Sequence, residues 1–243
     1  RYWRLFSVII KNVNMKKNIT LVIIIIAAVA AILVSAINIK GFSVTESSKK
    51  FKQEYESIND KVSEKSSKKN RSVNIPENNP MEYITAEKLA KKIDNKESFV
   101  AYFGFSECPW CRSVIEELIT TAQEENIRKI YYVDVKEIRD TYILNENNEP
   151  QKEKDGSKGY NSLIKKLSNV LNEYTLTTDD NKTVNVGEKR IYAPNGVAVV
   201  NGEAKILETG ISTKETNPYM KLTKEMKSDS KKAFKKVFKY INK

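Results

Sequence analysis

The chain contains no histidine, and that absence removes whole classes of chemistry. Ser-His-Asp and Cys-His nucleophiles cannot be assembled within it. Histidine zinc sites are excluded as well. Cysteine is almost missing too: Cys108 and Cys111 are the only 2 in 243 residues. Two thiols cannot fill a four-thiolate zinc site, so a site shared between two chains is the one arrangement of that kind left. No metal or organic cofactor is implied. Acidic residues are in deficit, with Asp+Glu 31 against Lys+Arg 42, for a net charge of +11. Such an excess points to nucleic acid, an anionic membrane or an acidic partner. Here the lysines gather at the two ends and in a linker, on no recognisable nucleic-acid motif. Solvated lysines beside a membrane, with no nucleic-acid partner, is the expectation.

The length allows one membrane segment and one domain of ordinary size. Residues 1–19 form a flank in which Met15, followed by Lys16 and Lys17, reads as a translation start and the n-region of an export signal. Alternatively, Tyr2, Trp3 and Phe6 form an interfacial anchor. Thr20–Ile37 is a run of 18 residues without a charge. At 1.5 Å per residue it spans roughly 27 Å, near the roughly 30 Å of a bilayer core. Residues 20–38 therefore read as a single-pass anchor with the N-terminus inside and the bulk of the chain outside. The alternative is a secreted protein, with cleavage after the small residues at Val34-Ser35-Ala36. Residues 39–76, rich in Ser, Lys, Glu and Asn, read as a disordered tether, with at most a short helix near Lys49–Val62.

Residues 77–243 carry the compact patterning. The expectation is strand Glu82–Ile84, helix Ala86–Ile93 capped by Thr85, strand Ser98–Phe105, a helix to about Asn126, and strand Lys129–Val135. This alternation argues for βαβ units around a parallel sheet. Asn145–Lys158 reads as a loop, Tyr160–Tyr174 as a helix and Thr175–Val186 as an appended hairpin. Val197–Val200 and Ala204–Leu207 flank Asn201-Gly202, a strong hairpin signal. A basic helix from about Asn217 closes the chain; its stripe of Met226, Phe234, Val237, Phe238 and Ile241 makes it an outer layer of the domain.

Cys108-Pro109-Trp110-Cys111 sits between a buried strand and an amphipathic helix. Pro109 falls at the first helical position, where its missing N–H costs nothing. Cys108 then lies at the helix N-terminus, where orphan N–H groups and the helix dipole favour thiolate. Cysteines of such pairs reach pKa values of about 3.5–7.5 against about 8.5 for a free thiol. Cys108 is thus the expected nucleophile, exposed. Cys111, one turn in, is the shielded resolving thiol. A static disulfide or half a metal site is the rival reading, and a staple across four residues stabilises little.

The run FVAYFGFSECPWCRSVIEEL resembles the active-site strand and helix of the thioredoxin superfamily. Ile191-Tyr192-Ala193-Pro194, with VAVV and Asn201-Gly202 following, resembles that family's cis-proline loop and closing hairpin. The whole arrangement is similar to bacteriocin transport accessory proteins. The resemblance implies an α/β thioredoxin-like fold, a central mixed sheet flanked by helices, with an enlarged insertion at about 136–190. It implies a membrane-tethered, extracytoplasmic thiol–disulfide oxidoreductase acting on cysteine-containing proteins or peptides, with a transporter or redox protein as partner. Pro109, Trp110, Ala193 and Pro194 would contact substrate, the backbone of Ala193 accepting it by strand addition. The alternative is a non-catalytic accessory that binds an exported peptide or a transporter. Two departures stand out: Cys111 to Pro194 is 83 residues, considerably more than the superfamily minimum, and the acid before the pair is displaced. Tyr102 occupies the place of the family's buried acid, and Glu107 adjoins Cys108, where it should slightly oppose thiolate formation. Proton transfer to Cys111 must then run differently, through water for example.

Overall fold

The computed structural model describes residues 42–63 and 66–242. The flank and the anchor expected at 20–38 lie outside the described residues. Among the described residues, no helix is long and apolar enough to cross a membrane. The elements in chain order are α1 Glu46–Glu56, β1 Met81–Tyr83, α2 Ala86–Asp94, β2 Phe99–Gly104, α3 Pro109–Glu124 and β3 Ile130–Asp134. Then come β4 Thr141–Leu144, β5 Pro150–Lys154, α4 Lys158–Leu167, β6 Asn172–Thr177, β7 Thr183–Arg190, β8 Asn195–Val200, β9 Glu203–Glu208 and α5 Lys224–Phe238.

The central sheet is five-stranded and mixed, in the order β1-β3-β2-β8-β9. β3 runs parallel to both β1 and β2, while β8 runs antiparallel to β2 and β9. Helices cover both faces, which explains why β2 reads as one unbroken apolar run: all six of its residues are buried. Its alternate residues point to different layers. Val100 and Tyr102 join α3 and α5 on one face, and Phe99, Ala101 and Phe103 join α2 and α4 on the other. At the β8–β9 hairpin, Asn201 (φ 52°) and Gly202 (φ 77°) adopt the left-handed pair that the sequence signals.

Three expectations are corrected. Residues 42–76 are no tether where described. Phe51, Tyr55, Val73 and Ile75 are buried in the core beside Tyr102 and Tyr132, and the compact unit runs from Phe42 rather than residue 77. The Phe51 ring stacks on Tyr55 at 4.5 Å and meets Tyr132 edge-on at 4.9 Å. A few large anchors secure a segment whose remaining residues stay wet, and composition averages such anchors away. Asn145–Lys158 is not a loop but contains most of the β4–β5 hairpin, which the Asn145 side chain turns by accepting from the N–H groups of Asn147 and Glu149. Four of the five β5 residues are exposed, so no apolar alternation marked them. The helix expected over Tyr160–Tyr174 ends at Leu167, and Tyr174 belongs to β6.

The basic C-terminal helix packs as an outer layer. Phe234, Val237 and Phe238 are buried, and its lysines reach the acidic face of α3. Lys231 pairs with Glu124 at 2.7 Å, and Lys227 with Glu117 at 3.3 Å.

Candidate active site at the Cys108–Cys111 pair

β2 ends at Gly104, a four-residue loop turns the chain, and α3 starts at Pro109. Gly104 is needed for close approach: a Cβ there would lie 2.8 Å from Tyr102 Cε1 and 3.1 Å from Cys111 Sγ. Cys108 is the N-cap of α3, with its Sγ accepting from the Cys111 N–H at 3.3 Å. Its thiol donates to the Ala193 carbonyl at 3.4 Å. Ala193–Pro194 is a cis peptide immediately before β8, so the antiparallel pairing of β2 with β8 carries residue 193 to the start of α3. Of the six residues singled out in the sequence, the structure brings Cys108, Cys111 and Ala193 into one cluster. Pro194 is buried, cis-bonded to Ala193, and Pro109 and Trp110 form the half-buried first turn.

The expected exposure of Cys108 is corrected: only 5% of it is accessible. The cause is the loop before β8, whose Ala193 carbonyl lies against the sulfur. Cys111 is fully buried, the shielded position the sequence predicts for it.

The environments push the two thiols apart. Hydrogen bonding from the Cys111 thiol comes first in lowering the pKa of Cys108. Burial opposes it, while the N–H groups of Cys111 and Trp110 and the Arg139 guanidinium add to it. Burial raises Cys111 well above the ordinary thiol value, and the proximity of Cys108 adds to the rise. The Tyr102 hydroxyl is buried without a hydrogen bond of ordinary geometry, yet it works against that rise at Cys111. Glu107 opposes the thiolate less than its position suggested, because its carboxylate is 2.7 Å from the Lys136 ammonium.

One residue of the site left no mark in the sequence. Arg112, directly after Cys111, is 1% exposed and has no carboxylate among its hydrogen-bond partners. Its guanidinium donates to the carbonyls of Arg71 at 2.7 Å, Tyr55 at 2.8 Å and Ser106 at 3.1 Å, and to Asn59 Oδ1 at 2.5 Å. It therefore fastens residues 55–71 to the loop that precedes Cys108. An isolated Arg on an otherwise acidic and apolar helix was the only signal available.

Among the described residues, no group of three Cys, Asp or Glu is placed to hold a metal ion. No family model matches the chain, and no curated protein matches it.

Proposed function

We propose that this chain is a thiol–disulfide oxidoreductase of thioredoxin-like fold, acting on protein cysteines and held outside the membrane by residues 20–38. One observation carries the reading. Cys108 Sγ lies at a helix N-terminus within 3.4 Å of the carbonyl of Ala193, at the cis peptide that opens β8. The sheet order β1-β3-β2-β8-β9, with the pair placed directly after β2, supports the thioredoxin-like assignment.

In the reaction, the Cys108 thiolate attacks one sulfur of a substrate disulfide. A mixed disulfide forms, and the departing substrate sulfur leaves as a thiolate that takes up a proton. Cys111 then loses its proton and attacks Cys108 Sγ. The Cys108–Cys111 disulfide forms and the second substrate thiolate departs, so two electrons pass from the pair to the substrate. The reverse sequence oxidises a substrate dithiol. The high pKa of Cys111 makes its deprotonation the step that most needs help, and the Phe105 backbone, followed by the Tyr102 hydroxyl, works in that direction.

A Cys111→Ala variant tests the proposal. Incubated with a disulfide-bonded model protein, it should accumulate a reductant-sensitive adduct on Cys108, whereas the wild type should turn substrate over. If neither adduct nor turnover exceeds the background, the oxidoreductase reading is wrong. A second reading, a non-catalytic accessory that binds an exported peptide or a transporter, draws on the 5% accessibility of Cys108. Binding that survives Cys108→Ser, with no exchange in the wild type, would favour it.

A further inference from the structure

A cavity of about 490 Å³ opens between residues 58–70 and the loop around Cys108. Its walls include Glu107 and Pro109, the two sequence neighbours of Cys108. The far wall comes from the segment that Arg112 fastens down, so the cavity exists only because residues 42–76 are docked.

Its chemistry is specific in three respects. The apolar part is Ile58, Val62, Phe105 and Pro109, and Val62, 60% exposed, leaves its side chain open to an occupant. The charged part is unbalanced. Lys136 is neutralised by Glu107 at 2.7 Å, but Lys61 and Arg139 have no ion-pair partner among the described residues. The third feature is Asn70, which lines the cavity, is 6% exposed, and has a buried Oδ1 that accepts no hydrogen bond. A buried acceptor without a donor is costly, and a donor from an occupant reaches it only if the cavity wall over it gives way.

We propose that this cavity is the subsite for an acidic stretch of the substrate polypeptide, next to its reacting cysteine. The inference rests on the oxidoreductase reading and adds the substrate class. An apolar side chain would cover Val62, a carboxylate would sit between Lys61 and the Arg139 guanidinium that lies 5.0 Å from the Phe105 ring centroid, and a peptide N–H would meet Asn70 once the wall over its Oδ1 yields. An exposed charge pair changes affinity by up to about fivefold, and 2 unmatched cations are on offer here. Long-range attraction would add to the association rate and fade with salt.

The test uses the full chain in non-ionic detergent and three cysteine peptides, each joined by a disulfide to a chromogenic thiol. They are identical except for Glu, Gln or Lys flanking an apolar residue beside the cysteine. The quantity read is the ratio of exchange rates, which does not depend on the fraction of folded protein. The Glu peptide should react about five to ten times faster than the Lys peptide at low salt, and the gap should close above about 0.5 M salt. Lys61→Glu and, separately, Arg139→Gln should bring the ratio towards one. Equal rates for the three peptides in the wild type, or a ratio unmoved by either variant, would overturn the subsite. Exchange with none of the peptides would instead overturn the oxidoreductase reading, so the two failures are distinct.

Discussion

Residues 42–76 and the hairpins within 141–190 both lie outside the five-stranded sheet, and they are fastened by opposite means. The first segment has one helix and little ladder, and it is held by Phe51, Tyr55 and Ile75, each fully buried, and by the Arg112 guanidinium reaching into it. The β4–β5 and β6–β7 hairpins are ladders of backbone hydrogen bonds with mostly exposed side chains. They are pinned at Arg190 and Tyr174, where the guanidinium lies 3.7 Å from the ring centroid. The lesson is that ordering does not require an apolar segment. A handful of large groups, or a well-turned hairpin, suffices in sequence that composition alone marks as polar. The first segment is also tied to the candidate site, because Arg112, directly after Cys111, donates to the carbonyls of Tyr55 and Arg71.

The sharpest way to break that comparison is to remove an anchor from each side. Tyr55→Ala should cost about 3–5 kcal/mol in urea unfolding, since it empties a fully buried aromatic site. If it costs under about 1 kcal/mol, the segment is not part of the core. Arg112→Met should follow at about 3 kcal/mol, because it leaves the carbonyls of Arg71, Tyr55 and Ser106 without their donor. It should also change the pH profile of Cys108 alkylation, whereas loss of Arg190 should destabilise without moving that profile. A shift of equal size in both variants would erase the functional distinction.

A smaller effect is expected at the thiols themselves. The alkylation midpoint of Cys108 should lie below the ordinary thiol value of about 8.5. Because the first cause of the lowering is the Cys111 thiol, Cys111→Ala should move the midpoint upward; a downward move would contradict the assignment. The sign for stability follows. In the reduced protein the lowered Cys108 contributes stability that is present above the unfolded value and lost as pH falls through its folded pKa. The raised Cys111 does the reverse, contributing below the unfolded value and losing its contribution as pH rises through its folded pKa. Tyr102→Phe should slow resolution of the mixed disulfide while leaving stability unchanged or slightly higher, because it deletes a buried hydroxyl that has no ordinary partner. The least effect belongs to the hairpins: Ile143→Ser, at a side chain 44% exposed, should stay within about 0.5 kcal/mol.

The sequence was informative where one force dominates. β2, α2 and the Asn201-Gly202 hairpin were legible because burial, capping by Thr85 and left-handed turn residues each leave a local pattern. The cysteine pair and Ala193-Pro194 were legible through motif and order. The docked N-terminal segment was not, because Phe51 and Tyr55 are one turn apart among lysines, serines and glutamates, a stripe too thin to stand out. The β4–β5 hairpin was hidden by its exposed strands. Arg112 was hidden for a different reason: its partners are backbone carbonyls, and no residue type announces those.

The near-complete burial of Cys108 bears on how long such a site lasts. Over-oxidation of cysteine to sulfinic and sulfonic acids follows thiolate character and exposure together. Cys108 has the first with only 5% of the second. Peroxide or free oxidant must reach the sulfur past the Ala193 carbonyl, whereas on the proposed function an extended polypeptide would pair with that same backbone as it arrives. On the proposed function, a nucleophile screened in this way would be spared much of the irreversible chemistry that wears out open thiolates.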